Sequence, residues 1–364
     1  MESSKIRYLK QEEKQATRPM YEVAFPEDST KFVDYYYSHK TKDNEIMVME
    51  GAEQDGSFHV MIHLNPYTLS IHGRRRQIPY LVAVATGIAY RRQGKMGQVM
   101  TCLLQNLASE GVPFTFLLPA DPAYYRGQGF VFFPGQPYLD RGGVCFAGTR
   151  KDMIRAASLE AASTGVWRRA NAEDTAKMAV FSNRVLEGRC EIFIRRDEHY
   201  GSRLLEELAT EQGGALLSEN CQGINGLIFY SINHSQGWAA AEIKELLLEE
   251  DVTNEEAEEI CREALEMTGC TVDRITFTSS RMMVRLTNLI SLVPLLKSER
   301  PLRYQVQVRD TLIAANAGCF QIDINCGGGS IKRIKRADVR EHMDITELTK
   351  RLFQYSAVYL HEWV

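Results

Sequence analysis

One strand–turn–helix unit near residue 90 constrains the fold of this chain more than any other segment. The stretch QIPYLVAVATG, residues 77–87, is mostly apolar, as is typical of a strand that is buried on both faces. A basic, glycine-containing turn follows it. Residues 98–111 (QVMTCLLQNLASEG) then carry apolar side chains at helical spacing up to a final glycine. A strand that leads through such a turn into a helix predicts a mixed α/β layer.

The turn itself, AYRRQGKMG at residues 89–97, predicts a site for a pyrophosphate group. The start of a helix directs several backbone N–H groups and the positive end of the helix dipole towards one point. Gly94 and Gly97 lack a Cβ atom and let a ligand approach the backbone, and Arg91 and Arg92 add positive charge. The turn has neither the GxxxxGK[ST] pattern of a P-loop nor the GxGxxG pattern of a dinucleotide fold. A strand–helix turn with two solvated arginines is the alternative.

A second segment with the same implication lies about 30 residues downstream. The sequence YYRGQGF, residues 124–130, follows an apolar strand and a helix that begins at the Asp-Pro pair 121–122. The two segments together resemble the signature of the GCN5-related N-acetyltransferases. That signature is Arg/Gln-x-x-Gly-x-Gly/Ala after the fourth strand, followed by Tyr-x-x-x-Gly-Phe. The chain departs from it at Met96, where the family has a small residue.

The resemblance implies acyl transfer from acetyl-CoA and the residues that serve it. A backbone N–H near residues 84–86 would stabilise the developing oxyanion. Tyr125 would act at the thioester sulfur as general acid, with its neighbour Tyr124 as the alternative. The implied cofactor-binding residues are Val84, Ala85, Thr86, Arg91, Arg92, Gln93, Gly94, Lys95, Met96, Gly97, Ala120 and Asp121. Asp121 has a second interpretation as a helix N-cap.

The length and element order of the whole chain resemble a narrower group, the enhanced intracellular survival family. Its members have two acetyltransferase-like domains followed by a sterol-carrier-like domain, so the implied fold class is mixed α/β with tandem acetyltransferase folds. The corresponding boundaries are 1–148 for a catalytic domain, 149–268 for a degenerate second domain and 269–364 for a C-terminal domain. The runs MMVRLTNLISLV, RYQVQVRDTL and YLHEWV carry this part of the resemblance.

No histidine or glutamate of the first domain has motif support as a catalytic base. In the enhanced intracellular survival family the free C-terminal carboxylate enters the first domain's active site, which here implies the α-carboxylate of Val364. An α-carboxyl pKa of about 3.5 lies roughly five units below that of a substrate ammonium, a difference of about 7 kcal/mol if the proton leaves first. Burial beside Trp363 would raise that pKa, and concerted proton loss would lower the demand. An ordinary terminal helix over SAVYLHEWV is the alternative.

The helices before residue 45 are implied to flank an amine acceptor. The residues predicted to contact it are Phe25, Glu27, Asp28, Tyr36, Glu362 and Trp363. Aromatic side chains beside carboxylates suit a polycationic amine such as an aminoglycoside or a polyamine. The alternative is that these are core aromatics and surface acids. Protein lysine acetylation, and a catalytically silent acyl-CoA-binding or lipid-binding regulator, are the rival functions.

Composition argues against several other classes. The net charge of −4 and the pI of about 6.1 are not those of a protein that binds nucleic acid through a basic face. The 8 cysteines form no C-x-x-C pair and no zinc spacing, so no metal is expected. No signal segment and no stretch of about 18 uncharged apolar residues is evident, so we expect a cytoplasmic protein without a membrane partner. The family resemblance implies a homo-oligomer, a trimer or a hexamer.

Local patterns predict the remaining elements. The segment up to about residue 45 has helical character with a break at Pro26, and GRRRQI is a tight turn. The other predicted helices are residues 151–163, 171–186, 254–267, 343–354 and the terminal segment 356–364. The other predicted strands are residues 45–50, 57–64, 68–73, 112–120, 129–133, 214–220, 221–232, 237–249, 272–279, 303–310 and 318–325.

Overall fold

The computed structural model of the 364-residue chain describes residues 5–51, 57–134, 166–235, 238–249, 252–278 and 281–362. By their internal contacts these residues form two compact units. The described part of the first unit is residues 5–51, 57–134, 281–356 and 362, and that of the second is residues 166–235, 238–249, 252–278 and 357–361. No helix in these residues is long and apolar enough to cross a membrane.

The first unit is built on a mixed sheet whose strands lie in the order β1-β2-β3-β4-β5-β13-β6. These strands are β1 (Ile6–Tyr8), β2 (Glu45–Glu50), β3 (Phe58–Ile71), β4 (Arg74–Thr86), β5 (Phe114–Leu117), β6 (Val131–Phe132) and β13 (Met283–Leu286). Strands β3 and β4 form a long antiparallel hairpin. Its turn lies at His72 and Gly73, which both have positive φ as two-residue hairpin turns require. Strand β4 then runs parallel to β5.

Helices cover both faces of this sheet. They are α1 (Arg18–Ala24), α2 (Thr30–Tyr35), α3 (Thr41–Asp43), α4 (Lys95–Ser109) and α5 (Ala123–Arg126). Side chains of β2 alternate between the two faces: Ile46 and Val48 pack with the aromatic cluster of the early helices, while Met47 and Met49 pack with α4. The central strands are therefore apolar on both faces, as their sequence predicts.

A second sheet completes the first unit, in the strand order β16-β15-β14-β17. Its elements are β14 (Leu302–Arg309), β15 (Gly318–Asn325), β16 (Gly328–Arg333) and β17 (Glu341–Asp344), with helices α9 (Leu289–Leu292) and α10 (Ile345–Phe353) beside them. Along β14 the side chains of Tyr304, Val306 and Val308 are buried and those between them are not. This alternation is typical of a sheet with one face on the core.

The second unit has its own sheet, in the order β12-β11-β10-β9-β7. The strands of this sheet are β7 (Val166–Arg169), β9 (Gly214–Asn220), β10 (Gly223–Ser235), β11 (Trp238–Leu248) and β12 (Arg274–Phe277). Two further strands of the unit, β8 (Ile192–Ile194) and β18 (Val358–Tyr359), pair with each other outside this sheet. Its helices are α6 (Thr175–Arg189), α7 (Glu198–Thr210) and α8 (Asn254–Met267). A capping box between Thr253 and Glu256 begins α8, whose buried face packs on the sheet.

Several local predictions were wrong. The terminal segment holds strand β18, which pairs in parallel with β8, and not a helix. Strand β1 pairs with β2 within the segment predicted as helical. The stretch GRRRQI is largely part of β4, and the two strands predicted at 57–64 and 68–73 are parts of one strand, Phe58–Ile71. In each case pairing with a neighbouring strand of the sheet overrides the local pattern. The helix predicted at 151–163 lies outside the described residues.

A buried histidine beneath the early helices makes the stability of the first unit depend on pH. His63 is fully buried, and burial, with the charge of Lys14, lowers its pKa from 6.5 to about 3. The folded protein therefore resists protonation of His63, whereas the unfolded chain takes up the proton below about pH 6.5. The free energy of unfolding is therefore not reduced by His63 well above pH 6.5, and it falls as the pH drops from 6.5 towards 3.

We expect the native protein to lose about 3 kcal/mol of stability through His63 between pH 6.5 and pH 4. A His63→Gln variant is expected to lack that component, because glutamine does not titrate. Urea midpoints of the two proteins, measured at both pH values, check this. Equal shifts in both proteins would show that His63 does not carry the effect.

Candidate functional site

Strand β4 carries a bulge close to its end. Met61 of β3 lies opposite Ala85 and His63 lies opposite Val82, so two residues of β4, Ala83 and Val84, face one residue of β3. Ala83 has a φ of 49°, which is uncommon for a residue with a Cβ. A bulge of this kind leaves part of the backbone out of the hydrogen-bond ladder and turns it aside.

The bulge lies beyond the point where the pairing of β4 with β5 ends. Strands β4 and β5 pair only at Tyr80 with Phe116 and at Leu81 with Leu117, and β5 ends at Leu117. Beyond Leu81, β4 continues to Thr86 with no strand on that side among the described residues. Backbone N–H and C=O groups along such an edge can bind an extended ligand. The predicted contacts Val84, Ala85 and Thr86 all lie on this edge.

The turn after β4 forms a cradle of backbone donors. Gly94 has a φ of 73°, a conformation that glycine adopts without strain, and it is the N-cap of α4. The N–H groups of residues 92–97 donate to no backbone or side-chain acceptor in the described part of the chain. Unpaired donors at a helix N-terminus suit an anion such as pyrophosphate.

Side chains hold the cradle in shape. Arg91 donates from Nε to the Thr86 carbonyl oxygen at 3.1 Å, and Gln93 donates from Nε2 to the Ala89 carbonyl oxygen at 2.9 Å. The ammonium group of Lys95 lies 2.8 Å from Nδ1 of His59 and 4.9 Å from the ring centroid of Tyr90. The Lys95 side chain is therefore engaged within the protein, and its backbone N–H is the part that lines the cradle.

The two candidate tyrosines of the second motif differ in their burial. Tyr125 is 6% exposed, and its ring packs against Phe130 with the centroids 5.8 Å apart. Tyr124, by contrast, is 61% exposed. Asp121 accepts a hydrogen bond from the Ala123 N–H at 2.8 Å, at the start of the short helix that carries both tyrosines. The N-cap residue of that helix is the adjacent Pro122. Ala120, beside Asp121, is exposed.

Burial, reinforced by Tyr124, raises the pKa of Tyr125 to about 12. The hydroxyl is therefore protonated throughout the neutral range. Full proton transfer from a group of that pKa to a thiolate, whose conjugate thiol has a pKa of about 8.5, is uphill by roughly 5 kcal/mol. A hydroxyl with this pKa can donate a hydrogen bond to a thiolate more readily than it can give up its proton.

The two motifs meet along one groove. This groove has a volume of about 540 Å³ and is lined by Gly94, Gly97, Gln98, Thr101, Cys102, Gln105 and Gln128. A Cβ added at Gly97 would lie 3.5 Å from Nε2 of Gln128. The start of α4 is therefore close to the Tyr125–Phe130 turn. Sequence reasoning missed the residues of α4 beyond Gly97. Their recurrence every three or four positions is the signal that could have identified them.

The predicted acceptor residues of the early helices differ in their exposure. Phe25 is half-buried and Glu27 is exposed, while Asp28 accepts a hydrogen bond from the Tyr21 hydroxyl at 2.7 Å. Tyr36 is 0% exposed, and its hydroxyl lies 3.1 Å from Nδ1 of His63. In this conformation Tyr36 is a core aromatic, as the alternative interpretation has it. Its burial does not support contact with an acceptor.

The end of the chain is described only as far as residue 362. Glu362 is buried and accepts a hydrogen bond from the hydroxyl of Tyr67, on strand β3, at 2.8 Å. Trp363 and Val364 lie outside the described residues. Because β3 is the partner of the bulged strand β4, Glu362 is anchored to the sheet that carries the site.

Comparisons with known proteins agree with this geometry. A family model described as an acetyltransferase (GNAT) domain matches residues 5–133. These residues contain the bulged strand, the cradle and the Tyr125–Phe130 turn. The resemblance to GCN5-related N-acetyltransferases that the sequence indicates is therefore confirmed. No curated protein matches the chain.

Solved structures share the fold over nearly the whole length. A conserved protein of unknown function from Enterococcus faecalis V583, a probable N-acyltransferase, has a TM-score of 0.74 at 14% identity, with 100% of each chain covered. A GCN5-related N-acetyltransferase from Kribbella flavida has a TM-score of 0.69 at 17% identity, with 99% of each covered. Eis1 from Mycobacterium abscessus has a TM-score of 0.62 at 12% identity, with 96% of this chain and 89% of that chain covered. At these identities the likeness concerns the fold.

Proposed function

We propose that this chain, whose residues 5–133 match an acetyltransferase (GNAT) domain, transfers an acetyl group from acetyl-CoA to an amine within a ternary complex. The observation that carries the proposal is that three features lie around the end of β4, since Tyr125 packs in the same apolar cluster as Val84 and Met96. The three features are the donor cradle at residues 92–97, the bulge at Ala83 and Val84, and the buried tyrosine of the second motif.

Binding is assigned to the cradle and to the free edge of β4. The unpaired N–H groups of residues 92–97 would hold the pyrophosphate, since they need acceptors and the positive end of the α4 dipole reinforces them. The pantetheine arm has amide groups that can pair with the edge of β4 beyond Leu81. That arrangement would bring the thioester to the bulge and orient it before the amine attacks.

Acetyl-CoA supplies an activated acyl group in the form of a thioester. A backbone N–H at the bulge would donate a hydrogen bond to the carbonyl oxygen, where negative charge develops as the amine nitrogen forms its new bond to carbon. The Tyr125 hydroxyl would donate a hydrogen bond to the sulfur as the carbon–sulfur bond breaks. The products are the amide and CoA, and the proton lost by the amine must pass to a base.

The base is proposed to be the α-carboxylate of Val364, on the strength of the resemblance to the enhanced intracellular survival family. The contact of Glu362 with Tyr67 supports it by tethering the last described residue to β3. The same resemblance supports a polycationic acceptor, for which the exposed Glu27 offers a complementary charge. A sterol-carrier-like C-terminal domain, three domains divided near residues 148 and 268, a cytoplasmic location and a homo-oligomer belong to the same proposal.

One experiment tests both the reaction and the base. Release of the CoA thiol is measured with an aminoglycoside, a polyamine, a lysine-containing peptide and no acceptor, using the protein that ends at Val364 and a variant extended by a few residues. We expect the polycationic amines to turn over and the extension to abolish turnover while acetyl-CoA still binds, because the extension removes the carboxylate from that position.

The other outcomes separate the two parts of the proposal. Equal turnover by both proteins would place the base elsewhere and leave the acetyltransferase assignment intact. Turnover of the peptide alone would indicate a protein lysine acceptor. Binding of acetyl-CoA without turnover of any amine would contradict the enzymatic proposal and favour a regulator.

A further inference from the structure

A strand from far downstream is part of the acetyltransferase sheet. Strand β13 lies between β5 and β6 and is antiparallel to both. Met283 pairs with Leu117 on one side and with Phe132 on the other. The family match ends at residue 133, so the sheet that carries the second motif is completed by residues outside it.

Arg285, on this inserted strand, reaches the second motif with its guanidinium group. The side chain is 1% exposed and donates from Nε to the carbonyl oxygen of Gln128 at 2.7 Å. Nη1 donates to the carbonyl oxygen of Leu286 at 2.6 Å, and Nη2 contacts both carboxylate oxygens of Asp310 at 2.7 and 2.9 Å. Each nitrogen of the guanidinium group thus has an acceptor, which a buried charge requires.

The glycine of the second motif is explained by this contact. Gly129 has a φ of 81°, and a Cβ atom added there would lie 2.9 Å from Nε of Arg285. A side chain at residue 129 would therefore strain the backbone and displace the guanidinium group together. The motif glycine is the residue that allows Arg285 to lie against the turn.

Asp310 fixes the other end of Arg285. Its Oδ1 atom also accepts the N–H groups of Leu312 and Ile313, each at 3.1 Å, and its Oδ2 accepts from Nδ2 of Asn316 at 3.2 Å. The carboxylate is thus held by four groups, which are the Arg285 guanidinium, the Asn316 amide and the N–H groups of Leu312 and Ile313. Removing one partner of such a buried pair leaves an uncompensated charge and is strongly destabilising.

The Arg285 contact is transmitted to Tyr125 by the backbone of a tight turn. The N–H groups of Gln128 and Phe130 both donate to the carbonyl oxygen of Tyr125, at 3.1 and 3.3 Å. Fixing the Gln128 carbonyl therefore fixes the segment that carries the tyrosine. The side chain of Gln128 also lines the groove beside Gly97.

We propose that Arg285 is a positioning residue for acetyl transfer, which acts by holding the Gln128–Gly129 turn so that the Tyr125 hydroxyl meets the reacting sulfur. This inference rests on the proposed function. It assigns a role in the reaction to the segment 281–316, which lies outside the matched domain, and it makes residues 5–133 insufficient for full activity.

A double-mutant cycle tests the coupling. Arg285→Lys keeps the charge for Asp310, but one ammonium group cannot serve both Asp310 and the Gln128 carbonyl, so we expect kcat to fall about 10- to 100-fold. Combined with Tyr125→Phe, the same change is expected to lower kcat by less than about threefold, because both substitutions remove the action of one hydroxyl. Arg285→Met provides the stronger version of the test if it folds.

The matched control is another buried ion pair, Arg196 with Glu245, which lies in the second unit with contacts of 2.9 and 3.0 Å. Arg196→Lys is expected to lower the melting temperature as Arg285→Lys does, while the full Tyr125→Phe effect on kcat is retained. Additive effects of Arg285→Lys and Tyr125→Phe would overturn the positioning role, as would a loss of stability with unchanged kcat.

Failure of the proposed function has a different signature, since the native protein would then turn over no amine. In that case the inference is judged without turnover, by ultraviolet titration of Tyr125 after a rapid pH jump, with Tyr125→Phe as the blank. The pKa is expected to fall from about 12 towards 10 in Arg285→Lys as the ring loses its burial. An unchanged pKa would show that Arg285 does not hold the tyrosine.

Discussion

Replacement of Gly97 by aspartate is expected to weaken acetyl-CoA binding about 100-fold while leaving the fold intact. Gly97 is the third residue of α4, where a carboxylate stabilises a helix by roughly 0.3–1 kcal/mol. A Cβ at this position meets Gln128 at an ordinary contact distance of 3.5 Å. A pyrophosphate held by the cradle would instead face a like charge, which costs about 4 kcal/mol at 4 Å and an effective dielectric constant near 20. Screening by solvent reduces this repulsion towards the energy that corresponds to a 100-fold loss of affinity.

The matched control for this prediction is Gly97→Asn, which has the same shape without the charge. We expect asparagine to weaken binding less than about 10-fold and aspartate to weaken it further, with the difference shrinking as salt is added. Calorimetric titration with acetyl-CoA and a thermal melt give the two quantities needed. Equal affinities for the two variants would mean that no phosphate group lies at the start of α4.

The cradle could be predicted from the sequence because its determinants are local. An apolar strand, two glycines and an amphipathic helix within about 35 residues specify the turn between them, and hydrogen bonds of the helix fix which N–H groups remain unpaired. The same holds for the Tyr125–Phe130 turn, whose hydrogen bonds close within the segment. The sequence left Tyr124 and Tyr125 as alternatives because they are neighbours. Burial distinguishes them, and burial depends on the whole sheet.

The inserted strand β13 could not be predicted in the same way. The strand has only four residues, Met283–Leu286, with Arg285 among apolar neighbours, and the strands that pair with it lie about 150 to 170 residues away in the sequence. The segment was recognised only as an arginine-bearing run. That an arginine would be fully buried there follows from two distant partners, Gln128 and Asp310. The end of the chain was mistaken for a helix for the same reason, because β18 is a strand only through its pairing with β8.

Removal of a single hydroxyl, in Tyr125→Phe, is expected to lower kcat about 100-fold and to change the affinity for acetyl-CoA by less than about threefold. The hydrogen bond to sulfur matters only as the carbon–sulfur bond breaks, so its loss falls on the transition state and not on binding. In the described part of the chain the Tyr125 hydroxyl has no hydrogen-bond partner, so its removal is expected to leave stability unchanged. Steady-state kinetics and a thermal melt measure both.

Tyr124→Phe is the control, because Tyr124 is exposed and its substitution is expected to change kcat less than about twofold.

A further arm uses an acetyl donor whose leaving thiol has a lower pKa. Such a thiolate needs less stabilisation, so the loss caused by Tyr125→Phe is expected to shrink. With a pKa of about 12, Tyr125 should also add no ionisation to the kcat profile between pH 6 and pH 10, and any rise there belongs to the amine or its base. An equal loss with both donors would mean that Tyr125 acts on something other than the sulfur.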